Sequence, residues 1–295
     1  MKLAGKLLLP VVFSLLFTGC ATTKTGKGIE LVKDNKALEA LPILEEAAAD
    51  GSKTAAIMAS FLYLTDGQIP IDIEKAKHYY NVASSLDYGD GQYLDYFVPQ
   101  VQARIMLFDD LTENDADATT ILRGERYSEY PPSLRLLAMS YSVGKGVEKN
   151  LKLSKLLLER AMNIDDTPDS NHMYVWWLAV HPDEEFRDSR LAMELLPSIL
   201  EDVDESNQAN VWDTQAAVLA ANGQYKEALT IQLKALGKLK EDVRHNPMLK
   251  RLVPSFECRL LTYQSQSPWH FEPGTSPFSK LYFHRCGIQS DATSI

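Results

Sequence analysis

The chain has 295 residues, and the types that could carry metal, redox or stacking chemistry are six histidines, three cysteines and four tryptophans. His78, His172, His181, His245, His270 and His284 are scattered, with no pair at the helical spacing of a metal site. The densest titratable cluster is HPDEEFRD at 181–188. It reads either as a metal or acid–base site, or as a solvated loop whose acids open the next helix, where they favour the positive end. KTGKG at 24–28 lacks the spacing of a phosphate loop, and no Gly-x-Ser-x-Gly elbow occurs. Cys258 and Cys286 have no Cys-x-x-Cys context for redox catalysis. These residues form no catalytic constellation, so the expectation is a binding protein without enzymatic activity, metal or cofactor. Trp176 and Trp177 are the remaining candidates. Neighbouring helical positions point about 100° apart. One ring then packs between helices and the other lines a groove wall open to a peptide or a sugar, or both are core.

Cys20 has a distinctive setting. Lys2 and Lys6 open the chain, Leu7 to Phe17 is an apolar run broken by Pro10 and Ser14, and Phe17-Thr18-Gly19-Cys20 ends it. The run is shorter than the roughly 20 residues of a membrane-spanning helix and matches a secretory signal core. The ending resembles a bacterial lipobox, with Phe17 where Leu is usual. That resemblance implies cleavage after Gly19 and lipid on Cys20, the only cofactor-like group expected. Several acyl chains together anchor a protein stably. Ala21, where Asp would favour inner-membrane retention, implies the periplasmic face of the outer membrane.

Removing residues 1–19 takes the formal net charge from −10 to −12. Nucleic acid and anionic headgroups need a basic patch, so neither is an expected partner. Apolar residues make up 45% of the chain, enough for a folded body. In an oxidising compartment Cys258 and Cys286 could close a disulfide or stay as two thiols.

Internal repetition dominates the rest. Residues 55–84 and 133–162 follow the same pattern, the first copy more loosely, with Pro70 in place of part of the glycine-containing loop. Each begins with an Ala- or Leu-rich helix ending near an aromatic, Tyr63 or Tyr141, and passes a glycine-containing loop. Each then enters a second helix with small inner residues, Ala76 and Ala83 or Ser154 and Ala161. This resembles Sel-like repeats. VWDTQAAVLAANGQYKEALTIQLKAL at 211–236 resembles a tetratricopeptide unit, with Lys240 where a closing proline often stands. The Trp-rich stretch 174–200 and CRLLTYQSQSPWHF at 258–271 resemble parts of a bacterial variant of that unit.

The resulting expectation is an all-α, right-handed α-solenoid of stacked helix-turn-helix repeats. Residues 1–19 form the signal and 20–35 a lipidated, flexible tether. Sel-like repeats fill 36–165, degenerate near 86–132, and tetratricopeptide repeats fill 166–267. Residues 268–295 form an irregular tail capping the array. Such lipoproteins act as scaffolds for envelope protein partners in secretion, pilus assembly, polysaccharide export or cell-wall synthase regulation. The alternatives are a glycan-binding lipoprotein, favoured by an exposed Trp176 or Trp177, and a hydrolase built around His181.

Overall fold

The computed structural model describes residues 23–65, 68–86, 94–165, 168–201, 203 and 205–278. The described residues hold fourteen α-helices, three short 3-10 turns and no strand. The chain divides into two compact units, Met1–Leu122 and Arg123–Ile295. This boundary lies before the change of repeat type read at 165–166, which concerns loop and residue pattern rather than compactness.

The first unit contains α1 (Lys24–Lys33), α2 (Ala37–Ala49), α3 (Lys53–Leu62), α4 (Ile73–Ser85), α5 (Leu94–Phe108) and α6 (Asp115–Arg123). The stretch expected to be tether is helical from Lys24. Thr23 caps it by accepting from the Gly26 N–H at 3.1 Å. Glycine disfavours a helix by up to about 1 kcal/mol, but Gly28 is needed here: a Cβ on it would lie 2.6 Å from the Leu44 side chain. Its absence lets α1 pack against α2 and bury Ile29. Asn35, at φ 55°, then turns the chain into α2. In the poorly matching stretch, α5 runs through Pro99 and packs on α3 and α4.

The second unit contains α7 (Pro131–Val143), α8 (Leu151–Ile164), α9 (Pro168–Val180), α10 (Ser189–Leu195), α11 (Pro197–Leu200), α12 (Gln208–Ala221), α13 (Tyr225–His245) and α14 (Val253–Gln264). Every residue of α9 from Tyr174 to Val180 is buried. A helix apolar on all sides belongs inside, and α8, α10, α11 and α12 all pack on it. With Lys240 in place of proline, α13 runs on to His245.

Sequential helices pair through a recurring set of bonds. In the α3/α4 hairpin the N–H of Asp72 donates to the Tyr63 carbonyl at 2.9 Å, and in α7/α8 that of Asn150 donates to Tyr141 at 2.8 Å. The α9/α10 hairpin repeats this with Asp188 and Leu178 at 2.9 Å. The side chains of Asp72, Asn150 and Asp188 each cap the following helix, accepting from Lys75, Leu153 and Leu191 at 3.0, 3.0 and 2.9 Å. One residue therefore closes the loop with its backbone and starts the second helix with its side chain. Neighbouring hairpins are tied by a tyrosine on the incoming helix. Tyr63 donates to Glu45 at 2.6 Å in the first unit, and Tyr174 donates to Glu159 at 2.7 Å in the second. Burial and the adjacent carboxylate raise the pKa of both phenols. The architecture is thus all-α, with adjacent-helix pairing of the kind that stacked hairpin repeats use.

Candidate functional site

Cys20 and Cys286 lie outside the described residues. Cys258, on α14, is buried and disulfide-bonded. Trp176 and Trp177 are 6% and 2% exposed, so neither lines an open groove. The reading of these two residues as groove contacts is corrected to core packing, and the reason lies in what covers each one.

Trp177 faces the 181–188 loop. Its ring meets Phe186 edge-on at 5.5 Å and His181 at 5.1 Å, and His181 stacks on Phe186 at 4.4 Å. The Nδ1 of His181 accepts from the Asp183 N–H at 3.1 Å, and Arg187 donates to the His181 carbonyl at 2.7 Å. Burial holds the His181 pKa down at about 4, against a weaker upward pull from Asp183. The imidazole is a neutral, inward-facing part of the loop, and the acids around it close the loop and cap α10. Among the described residues, no group of three or more His, Cys, Asp and Glu side chains is placed to hold a metal ion.

Trp176 faces a different neighbourhood, a seat formed by α9 and α14 and occupied by the residues that follow α14. Trp269 and Phe271 are 8% and 3% exposed. Their rings lie 5.9 and 6.1 Å from that of Trp176, and 4.7 Å from each other. Burying two such side chains is worth roughly 1.5–3 kcal/mol each. The Phe271 N–H donates to the Val180 carbonyl at 3.0 Å, using one of the acceptors that the end of α9 leaves unpaired. The tail therefore returns to the middle of the second unit instead of only capping its last helix.

Arg259, on α14, sits under this seat. Its guanidinium lies 5.4, 5.1 and 5.1 Å from the ring centroids of Trp176, Phe256 and Trp269. It is 4% exposed, and its Nε donates to Asp213 on α12 at 2.7 Å. Gln232, on α13, donates to the same Asp213 oxygen at 2.7 Å and to the Phe256 carbonyl at 3.2 Å. A buried cation needs a partner and further hydrogen bonds. Asp213 supplies the first, and the aromatic faces add cation–π attraction. Three buried atoms around this network have no hydrogen-bond partner among the described residues: Trp176 Nε1, Tyr263 Oη and Gln232 Oε1. Burial raises the Tyr263 pKa further above its usual value, with Asp213 adding to the shift and Arg259 opposing it.

Sequence reasoning passed over Asp213, Gln232 and Arg259. The available signal was Asp213 itself, an acid in the Ala-rich inner pattern of 209–221, which calls for a buried cation elsewhere. The first unit has a smaller polar–aromatic cluster, in which Tyr63 stacks on Tyr79 at 6.0 Å and Lys75 lies 5.0 Å over the Tyr63 ring. Burial and Glu45 push Tyr79 up to about 12.

No protein-family model matches this chain, no curated protein matches it, and no solved structure matches it. Among the described residues no helix is long and apolar enough to cross a membrane.

Proposed function

We propose that this chain is a lipid-anchored helical-repeat scaffold on the periplasmic face of the outer membrane, and that it binds a segment of another envelope protein. The observation that carries the reading is the recurring hairpin clamp at Asp72, Asn150 and Asp188, with the tyrosine links at Tyr63 and Tyr174. Bonds of the same kind, made by residues of the same kind in both units, are what a repeated supersecondary element produces. Stacked helical repeats present long surfaces suited to extended peptides or helices. The repeats are read as Sel-like and tetratricopeptide units in a right-handed solenoid, on the residue patterns quoted above. The anchor is read from the order of charge, apolar run and Cys20 at the start of the chain. A lipid would confine the scaffold to a thin layer and raise its effective concentration for envelope partners. Secretion, pilus assembly, polysaccharide export and control of cell-wall synthases all use such scaffolds.

The reading is of a non-catalytic protein, supported by the structural roles that His181 and the loop acids perform. The glycan-binding alternative drew on an exposed Trp176 or Trp177, and the burial of both removes that cue.

The test is a crosslinked pull-down from native envelopes, comparing wild type with Cys20→Ser. A defined envelope protein should co-purify with wild type and fall away when the anchor is lost. If neither form recovers a protein, the scaffold reading fails. Equal recovery by both forms would keep the docking function and remove the anchor from it.

A further inference from the structure

We propose that the first unit stands directly on the bilayer, on the edge formed by the start of α1 and the α2–α3 turn, with no free tether between lipid and body. The partner of this edge is a lipid surface. The inference rests on the lipid-anchor part of the reading above and states what that anchor does to the fold it carries.

The helix that follows the anchor is fixed to the first unit along its length. Ile29 is 2% exposed, and Gly28 lies against Leu44 of α2. At the start of α1, Lys24 donates to Glu46 and Asp50 at 2.6 and 2.7 Å, and Thr25 donates to Ser52 at 2.9 Å. Just beyond its end, Gln68 donates to the Asn35 carbonyl and accepts from the Leu38 N–H at 3.4 Å. Exposed ion pairs add little singly. Burial of Ile29 and the close contact at Gly28 hold the helix down, and the polar bonds bring its first turn beside Asp50, Gly51 and Ser52.

Chain length then places this edge. Thr23, the N-cap of α1, is the third residue after Cys20. By any path, three residues carry it at most about 11 Å from Cys20. A free tether over residues 20–35 would reach up to roughly 55 Å. The acyl chains would lie in the hydrocarbon and Cys20 in the headgroup layer, which is about 5–8 Å thick on each side. Crossing that layer uses up much of the link, so α1 begins at its outer surface. The edge suits a polar boundary, since Thr23, Lys24, Asp50 and Gly51 are exposed and none is a large apolar residue. The Lys24 ammonium is engaged by two carboxylates of the body, so the acyl chains, not headgroup charge, supply the attraction.

The experiment uses the full lipidated chain in phosphatidylethanolamine–phosphatidylglycerol vesicles with acceptor dye on the headgroups. A donor dye is placed on Ala49→Cys, beside the edge, or on Asp34→Cys, at the far end of α1; both positions are exposed. Wild type labelled in parallel fixes the background from its own cysteines. Energy transfer should be roughly twofold or more higher from Ala49→Cys, given the roughly 15 Å of helix between the two ends. A Gly/Ser insert of about sixteen residues between Thr22 and Thr23 spans about 20–24 Å on average and should bring transfer from Ala49→Cys down to the level of Asp34→Cys or below. Equal transfer from the two positions at native length, or transfer that the insert leaves unchanged, overturns the proposal. Mass spectrometry of the purified chain separates the two readings. A chain without lipid on Cys20 removes the anchor and this inference together, whereas a lipidated chain with equal transfer removes this inference alone.

Discussion

Ser60 on α3 and Ser154 on α8 sit on opposite helices of their hairpins yet make the same bond. The Ser60 hydroxyl donates across the α3/α4 interface to the Ala76 carbonyl at 2.8 Å, and the Ser154 hydroxyl donates across α7/α8 to the Ala138 carbonyl at 2.7 Å. In the alignment of 55–84 with 133–162, Ser60 falls on Ala138 and Ala76 on Ser154. The bridge keeps its place while its donor moves between helices, as expected if the close approach of the two helices is what the repeat maintains. Only small side chains permit that approach, and all four residues are fully buried.

Ser60→Ala should therefore cost about 1 kcal/mol in urea unfolding. Adding Ala76→Ser should recover most of the loss by presenting the hydroxyl from the other helix, as Ser154 does. A double variant no more stable than the single would show that the two hairpins do not share one interface geometry.

Gly28 provides a test of whether the start of the body is docked. Gly28→Ala puts a methyl group 2.6 Å from the Leu44 side chain, an overpacking that costs about 1–3 kcal/mol. Limited proteolysis should cut faster between Lys24 and Asn35 in the variant, and Leu44→Ala in the same chain should slow the cutting again. Unchanged proteolysis in the single variant would return this segment to the status of a tether.

Arg259→Met leaves the Asp213 carboxylate buried without its cation and should destabilise the second unit by roughly 3–5 kcal/mol. Replacing both residues, Asp213→Leu with Arg259→Met, should cost less than Arg259→Met alone. The comparison is made by chemical denaturation, and a larger loss in the double variant would mean that packing of the guanidinium against Trp176, Phe256 and Trp269 outweighs its charge.

Stability should fall with acid through His181. Its folded-state pKa is lowered from 6.5 to about 4, chiefly by burial, so the unfolded chain takes up its proton first as pH drops. The contribution is fully present above pH 6.5 and is lost as pH falls toward about 4, with a total on the order of 3 kcal/mol. Burial shifts His270 in the same direction, and Arg187 assists. His181→Asn retains a hydrogen-bonding acceptor without the titration. Denaturant midpoints between pH 7 and pH 4 should slope less for His181→Asn than for wild type, and equal slopes would remove His181 as the cause.

The hairpins were legible because their determinants are local. Ala and Leu at helical spacing, the glycine-containing loops and the small inner residues Ala76, Ala83, Ser154 and Ala161 mark the two helices of each hairpin and the faces that approach. Lys24–Lys33 was misread because its glycines weaken a helix considered alone, whereas Gly28 is there for the close contact with Leu44. Trp176 and Trp177 were legible as a pair pointing two ways, with burial of both among the readings left open, but the groups that cover them were not legible. What covers Trp176 arrives from Trp269 and Phe271, far along the chain.

By itself, then, the sequence determined the helical class, the paired repeats and the absence of a familiar catalytic motif, since each depends on residues within a turn or two of one another. The tertiary structure decided the docking of α1, the union of Asp213 with Arg259, the inward, neutral His181 and the seating of the tail on α9. Those outcomes depend on which distant surfaces meet. Apolar burial favours many such meetings almost equally, and the choice among them comes from steric fit and from pairing charges that cannot be buried alone.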